Sequence, residues 1–189
     1  AAQPTRLGGE PGQIAFASNR SGSMQIWLMD VDGSHAAQLT NLPGGACQPA
    51  WSPTGDLLAI TSPCSQDQAV YKGSGLFVIH ADGSGLTPLS MVPGGDFEPA
   101  WSPDGKHLAF TSIRDGILHI YIYNLAEHKE KVLSSPSSSD RRPAWSPDGS
   151  QIAFETTRLG VPQIWIMEAD GSSPREFSSI ESGAASSPD

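Results

Sequence analysis

Short apolar clusters recur along the chain at a nearly constant spacing. The motif Pro-Ala-Trp-Ser-Pro occurs three times, with its tryptophans at Trp51, Trp101 and Trp145, which are 50 and then 44 residues apart. A second block of the Ile-Ala-Phe type and a third block of the Ile-Trp-Ile-Met type each occur four times. Self-similarity at a period of 20–50 residues predicts a repeat architecture, in which each unit buries its apolar surface against its neighbours.

The composition of the blocks predicts β-strands. Each block holds about five β-branched, aromatic or aliphatic residues and is bounded by Pro, Gly, Asp or Ser, the residues that form tight turns. The third block is apolar at consecutive positions, as expected of a strand buried on both faces. Residues Leu125–Leu133 have a locally helical composition, but the repeat register places a hairpin there, and we predict the hairpin.

Strands that are buried on both faces within a short repeat fit blades stacked around an axis. A sandwich would need alternating polar positions, and a helical solenoid would need a 3.6-residue period. We therefore predict an all-β fold, a β-propeller of about four antiparallel blades with four strands each. The chain opens at the second block, so the first blade should lack its inner strand, as in an open array or a fragment of a larger propeller.

The repeat also predicts the domain organisation. We expect a flexible tail over residues 1–11, propeller blades over residues 12–178, and a Ser-rich tail or the start of another blade over 179–189. The predicted blades span approximately residues 12–42, 43–92, 93–136 and 137–178. Six extra residues in the second unit fall within Pro63–Gly73 and leave both flanking blocks intact, so they should lie in a loop.

Taken together, the blocks resemble the TolB-type, WD-like propeller repeat. The resemblance rests on the segments Ser18–Gly22, Ile26–Ser34 and Pro99–Lys106, and it extends over Gln13–Phe177. It implies a TolB-like propeller, a fold that serves both in exported scaffold or sensor proteins and in peptidases of the prolyl-oligopeptidase-like or tricorn-like kind. Two units depart from the pattern, at Ala126–Glu127 and at Pro63–Cys64.

Charge narrows the classes of partner. Eleven Lys and Arg residues stand against 20 Asp and Glu residues, which gives a formal net charge of −9. A chain this acidic repels phosphate backbones and anionic lipid, so nucleic-acid partners are not expected. Membrane insertion is not expected either, because no run approaches the roughly 20 apolar residues needed to span a bilayer.

The two cysteines, Cys47 and Cys64, lie on opposite sides of the hairpin centred on Pro53–Asp56. They could face each other across the two strands and form a disulfide, or both could remain free thiols. A disulfide would indicate an oxidising compartment. Together with the resemblance, it would favour a periplasmic or extracellular (secreted) location.

In a propeller the loop between the second and third strands opens on the same end of each blade as the connection to the next blade. We call this end the irregular pole, and we call the opposite end, with its Pro-x-Gly and Asp-Gly turns, the tight-turn pole. We predict a partner-binding face at the irregular pole. Its candidate residues are Arg20, Gln48, Phe97, Glu98, Arg114, Arg141, Arg142 and Arg158. Alternatively, the arginines of the loops join neighbouring blades by bonding loop carbonyls. Trp51, Trp101 and Trp145 are predicted to be structural.

No segment predicts catalysis or metal binding. Asp30–Ser34 superficially resembles a calcium loop, but its counterparts change the first ligand, so we interpret it as a hairpin. Nucleophile elbows, phosphate loops and metal-ligand histidine spacings are missing from the sequence. We therefore expect no cofactor and a non-catalytic scaffold for protein interaction or sensing. Two alternatives remain: an accessory propeller that gates substrate access to a peptidase, or a structural subunit that self-associates through open blade edges.

Overall fold

A computed structural model describes residues 12–64, 70–114, 116–135 and 137–177, which form fifteen β-strands and no α-helix within these ranges. The predicted tails, residues 1–11 and 179–189, lie outside the described residues. The strands are β1 Gln13–Ser18, β2 Gln25–Asp30, β3 Ala37–Gln38, β4 Cys47–Trp51, β5 Leu57–Ser62, β6 Gly75–His80, β7 Thr87–Met91, β8 Asp96–Trp101, β9 His107–Ser112, β10 His119–Asn124, β11 Lys129–Val132, β12 Asp140–Trp145, β13 Gln151–Thr156, β14 Gln163–Glu168 and β15 Arg175–Glu176.

The strands form four antiparallel sheets, each ordered as in the sequence. The first sheet holds β1 to β3, and the next three hold β4 to β7, β8 to β11 and β12 to β15. Within the described residues the first sheet has no counterpart of β4, β8 or β12, which confirms the prediction of a first blade without its inner strand. The hairpin prediction is also confirmed, since Leu125–His128 form the turn between β10 and β11.

Tight turns fix the register of the inner strand in each four-stranded sheet. In the second sheet the Ser52 carbonyl accepts a hydrogen bond from the Gly55 N–H, and Ser52 Oγ accepts one from the Leu57 N–H. Gly55 has a φ of 77°, a left-handed conformation that favours glycine. Because Pro53 and Gly55 close the turn tightly, Trp51 at the end of β4 pairs with Leu58 near the start of β5.

The hydrophobic core consists of three layers, each lying between two neighbouring sheets. Leu58 and Ile60 of β5 pack toward the first sheet, where they meet Ile26. Ala59, on the opposite face of β5, packs toward the third sheet, where it meets Phe110. A third layer joins the third and fourth sheets. The described residues show no substantial contact between the first and fourth sheets, so the stack is an open array.

Two of the three repeated tryptophans link their sheet to the preceding one by a hydrogen bond. Trp101 Nε1 donates a hydrogen bond to the Ala50 carbonyl at 3.0 Å, and Trp145 Nε1 donates one to the Ala100 carbonyl at 3.2 Å. Trp51 Nε1 is buried and has no hydrogen-bond partner among the described residues. Its counterpart acceptor would lie on an inner strand of the first sheet.

Candidate functional site

A β-bulge interrupts the inner strand of every four-stranded sheet near the irregular pole. The pairing register shifts between Cys47 and Ala50 in β4, and at the equivalent places in β8 and β12. The residue inside each bulge has a left-handed backbone: φ is 52° at Gln48, 56° at Glu98 and 54° at Arg142. Non-glycine residues with positive φ are uncommon and cluster at functional positions, so these three residues mark the candidate site.

The bulged residues connect successive sheets through a relay of hydrogen bonds. Gln48 Oε1 accepts one from Thr61 Oγ1 of its own sheet and one from the Glu98 N–H of the next sheet, both at 2.9 Å. Glu98 Oε2 in turn accepts one from Thr111 Oγ1 at 2.7 Å and one from the Arg142 N–H at 3.1 Å. Each side chain thereby satisfies the backbone of its counterpart one sheet further along.

The relay becomes an ion-pair network where it reaches the fourth sheet. Glu98 Oε1 binds the guanidinium of Arg141, and Arg142 Nη1 pairs with Glu155 Oε2 at 2.9 Å. The Glu98 and Glu155 side chains are only 10% and 8% exposed, whereas Arg142 remains 37% exposed. The network therefore presents mainly Arg142 to solvent, with the carboxylates beneath it.

The arginines of the second-to-third-strand loops hold buried aspartates of their own sheets. Arg114 Nη2 lies 3.2 Å from Asp96 Oδ2, and Arg158 Nη2 lies 2.8 Å from Asp140 Oδ2. Both aspartates are fully buried. The interpretation that these loop arginines join neighbouring blades through loop carbonyls is therefore wrong for Arg114 and Arg158, because their ion pairs lie within one sheet.

Aromatic rings cover the same guanidinium groups. Arg114 lies over Tyr121 at 4.3 Å, and Arg158 lies over Trp165 at 4.8 Å. Burial opposes the charge of Arg114, but hydrogen bonds from its guanidinium to Glu130 and the negative charges of Asp96 and Glu130 outweigh it and raise its pKa. Arg114 is therefore a permanent cation of the site.

Arg20 of the first sheet has the same aromatic surroundings but no ion pair with any described residue. Its guanidinium lies 5.0 Å from the centre of the Phe16 ring and 4.9 Å from that of Trp27, and its Nε donates a hydrogen bond to Ser18 Oγ. In the third and fourth sheets the carboxylate for the equivalent arginine comes from the inner strand. Arg20 is correspondingly exposed.

The second sheet carries a disulfide where the other sheets carry the arginine. Cys64 occupies the repeat position of Arg20, Arg114 and Arg158, and it is bonded to Cys47 at a Cα–Cα distance of 5.8 Å. The disulfide prediction is confirmed, and the alternative of two free thiols is wrong. This covalent link joins β4 to the loop after β5 at the irregular pole.

Phe97 does not belong to the exposed part of the irregular pole. Its side chain is fully buried, and its ring meets the ring of Tyr71 edge-on at 5.8 Å. Tyr71, which belongs to the extra residues of the second unit, packs against it, a contact that the sequence pattern does not reveal. Expecting the Phe97 side chain on the partner-binding face is therefore wrong.

The described residues hold no cluster of three or more His, Cys, Asp or Glu side chains that could bind a metal ion. Over the same ranges, no helix has the length and apolar character needed to cross a bilayer.

Four antiparallel sheets that are stacked face to face and joined at one pole define a β-propeller domain. The sequence profile described as the TolB beta propeller domain matches residues 72–189. The chain belongs to this family.

Individual relatives match parts of the chain. A TolB homolog from Chlorobium chlorochromatii (strain CaD3) is 51% identical over 49 residues, which are 26% of this chain and 11% of that protein. An uncharacterized peptidase, YuxL of Bacillus subtilis (strain 168), is 33% identical over 58 residues, 30% of this chain and 9% of the peptidase. The crystal structure of TolB from Acinetobacter baumannii superposes with a TM-score of 0.79 at 21% identity, covering 95% of this chain and 44% of TolB. The chain thus spans less than half the length of these relatives.

Proposed function

We propose that this chain is a non-catalytic propeller scaffold that recognises a protein partner at its irregular pole. The observation that carries the proposal is the relay of Gln48, Glu98 and Arg142, which holds one polar and two charged side chains in fixed positions across three successive sheets. Side chains fixed in this way lose little conformational entropy on binding.

The arginines differ in their availability to a partner. Arg20 is exposed, and the Arg142 side chain is 37% exposed, whereas those of Arg114, Arg141 and Arg158 are at most 20% exposed and are held by carboxylates. We propose that Arg20 and Arg142 make the contacts and that the other three fix the surface beneath them.

A periplasmic or extracellular location is supported by two observations. The disulfide between Cys47 and Cys64 requires an oxidising compartment to persist. The chain also belongs to the TolB propeller family, and this propeller occurs in exported scaffold proteins, which supports the cell envelope as that compartment.

The proposal is tested by binding between pure proteins. A protein captured from a cell-envelope extract on the immobilised chain is purified, and its dissociation constant is measured by calorimetry against the parent chain and three variants. Arg20→Ala and Arg142→Ala should each weaken binding at least about tenfold, as expected for exposed arginine contacts. Asp82→Ala, in an exposed turn at the opposite pole, is the control and should leave binding unchanged. A partner that binds all four proteins equally would refute recognition at the irregular pole.

A second candidate is an accessory propeller that gates substrate access to a peptidase. It is favoured by the match to the Bacillus subtilis peptidase. The reading frame on either side of this sequence distinguishes the two proposals. A nucleophile-elbow hydrolase domain in the frame would support the peptidase, whereas further blades alone would support the scaffold.

The open first sheet supports a related proposal, in which blades 12–42, 43–92, 93–136 and 137–178 are part of a larger assembly. Arg20 has no ion pair and Trp51 Nε1 has no acceptor among the described residues. An inner strand would supply both partners, a carboxylate for Arg20 and a backbone carbonyl for Trp51, as β8 supplies Asp96 to Arg114 and the Ala100 carbonyl to Trp145. Such a strand could come from further repeats or from another copy. A solution mass that stays monomeric at all concentrations would exclude another copy.

A further inference from the structure

A groove opens at the tight-turn pole between the third and fourth sheets. It encloses about 570 Å³, within the range of ligand pockets. Its apolar surface comes from Pro103, Ile122 and Trp145, and three carboxylates line it, those of Asp104, Asp148 and Asp170.

The equivalent seam between the second and third sheets is filled by two leucines. Leu57 and Leu125 pack there against the cluster that contains Trp101, whose residue is only 9% exposed. The repeat positions of these leucines in the next seam are His107 and Ala169, both of which line the groove. Because these side chains leave the space open, Trp145 remains only partly buried.

The same comparison shows that charge has been added to the open seam. Thr54 and Ala126 hold the repeat positions in the filled seam that Asp104 and Asp170 hold in the open one. A hydrogen bond from Ser146 and others from Ser150 lower the pKa of Asp148 to about 2, and serine hydroxyls also lower those of Asp104 and Asp170. All three are therefore anionic at neutral pH. Two lysines lie at this rim: the backbone N–H of Lys106 donates to Asp104 Oδ1, and Lys131 Nζ donates to the Asp170 carbonyl.

We propose that this groove binds an arginine side chain of an extended peptide or loop from a partner protein. The aliphatic stem would pack against Ile122, and the guanidinium would lie over Trp145 between the carboxylates, an arrangement that combines cation–π and charge-assisted contacts. The net charge of −9 favours the approach of such a basic segment. This site goes beyond the function proposed above, because it lies at the opposite pole and shares no residue with the relay.

The probe is an acetylated and amidated heptapeptide, Gly-Ser-Leu-Arg-Leu-Ser-Gly, titrated into the whole chain at low salt. Its counterpart with Glu in place of Arg is the matched ligand control. Binding is followed by calorimetry and by the chemical shift of the Trp145 indole N–H, assigned with a Trp145→Phe variant. The arginine peptide should bind at least tenfold more tightly than the glutamate peptide, and its signal should appear at Trp145.

Variants that copy the filled seam test the groove itself. Ala169→Leu installs the leucine of the neighbouring seam and should abolish binding. Asp104→Thr combined with Asp170→Ala restores the uncharged residues of that seam and should weaken binding at least tenfold while leaving the groove open. Asp82→Ala removes an equivalent turn carboxylate away from the groove and should bind like the parent.

Three results would overturn the proposal. The first is equal affinity for the two peptides. The second is unchanged binding to both groove variants, each verified as folded by its urea midpoint. The third is a parent chain that dimerises and does not bind the peptide, together with an Ala169→Leu variant that is monomeric. The occupant of the groove would then be a second copy of the chain. The test of the irregular pole uses other residues, so either proposal can fail alone.

Discussion

One repeat position at the irregular pole is linked to the inner strand either by an ion pair or by a disulfide. In the third and fourth sheets it holds Arg114 or Arg158, each paired with a fully buried aspartate. In the second sheet it holds Cys64, and Ala46 replaces the aspartate. Loss of an arginine alone would leave a buried, unpaired carboxylate, which is strongly destabilising. Both partners have therefore changed together, and the disulfide supplies the connection that the ion pair supplies elsewhere.

The disulfide should contribute measurably to stability. It closes a loop between residues 17 positions apart, for which the loop-entropy estimate is about 3 kcal/mol. Reduction should therefore lower the free energy of unfolding by about 3 kcal/mol in urea denaturation. A Cys47→Ser, Cys64→Ser double variant controls for the reductant and should be insensitive to it. Superimposable curves for the oxidised and reduced parent would contradict the expectation.

At the scale of the strand, the inner strand does most to organise the site. In β8, Trp101 donates a hydrogen bond to the Ala50 carbonyl of the second sheet, and the bulged residue Glu98 accepts one from the Arg142 N–H of the fourth sheet. The structural role of Trp101 could be predicted because the motif repeats unchanged. The bulge could not be predicted, because a register shift depends on pairing with the neighbouring strand, and only the proline after each bulged residue hints at it.

Trp101 and Trp145 provide a matched pair for measuring the packing between blades. Trp101 is 9% exposed and is enclosed by Leu57 and Leu125, so Trp101→Ala should cost about 3 to 5 kcal/mol through the cavity that it leaves. Trp145 borders the open groove, so Trp145→Ala should cost less. Urea denaturation of both variants and the parent provides the comparison. An equal loss would show that the leucines add nothing to the packing of Trp101.

At the scale of the whole molecule, the repeat made the fold predictable and placed Gln48, Glu98 and Arg142 at one pole, but it left the contacts among them unpredictable. Every unit solves the same packing problem, so a pattern in one copy is confirmed by the others. The relay instead depends on how far each sheet is displaced along its neighbour, which no single repeat encodes. The placement of Phe97 depends on Tyr71 in the insertion, which has no counterpart in the other units.

Stability of the array should fall in acid because of its turns. Six exposed turn aspartates have pKa values below the ordinary value, principally through hydrogen bonds from serine or threonine hydroxyls. They are Asp32, Asp56, Asp82, Asp104, Asp148 and Asp170. A depressed pKa stabilises the folded state above the unfolded value of about 3.9. This contribution is lost as the pH falls through the folded values, of which that of Asp148 is about 2.

Urea midpoints measured between pH 5 and pH 2 provide the check. The midpoint of the parent should fall mainly below about pH 4. Asp148→Asn should reduce the size of that fall. Glu127→Gln also removes an exposed carboxylate and serves as the control. An Asp148→Asn profile parallel to that of the parent would contradict the assignment.

Because tight turns lie at one pole and irregular loops at the other, charge is distributed unevenly between the two ends of the strands. At the irregular pole, arginines form ion pairs that offset the negative charge of the carboxylates. At the tight-turn pole, the ionised turn aspartates are held mainly by serine hydrogen bonds, which leave their negative charge in place. A charge distribution of this kind exerts a torque on any charged body that diffuses toward it. Encounter complexes should therefore be aligned before they touch, with cationic surfaces guided to the aspartate end.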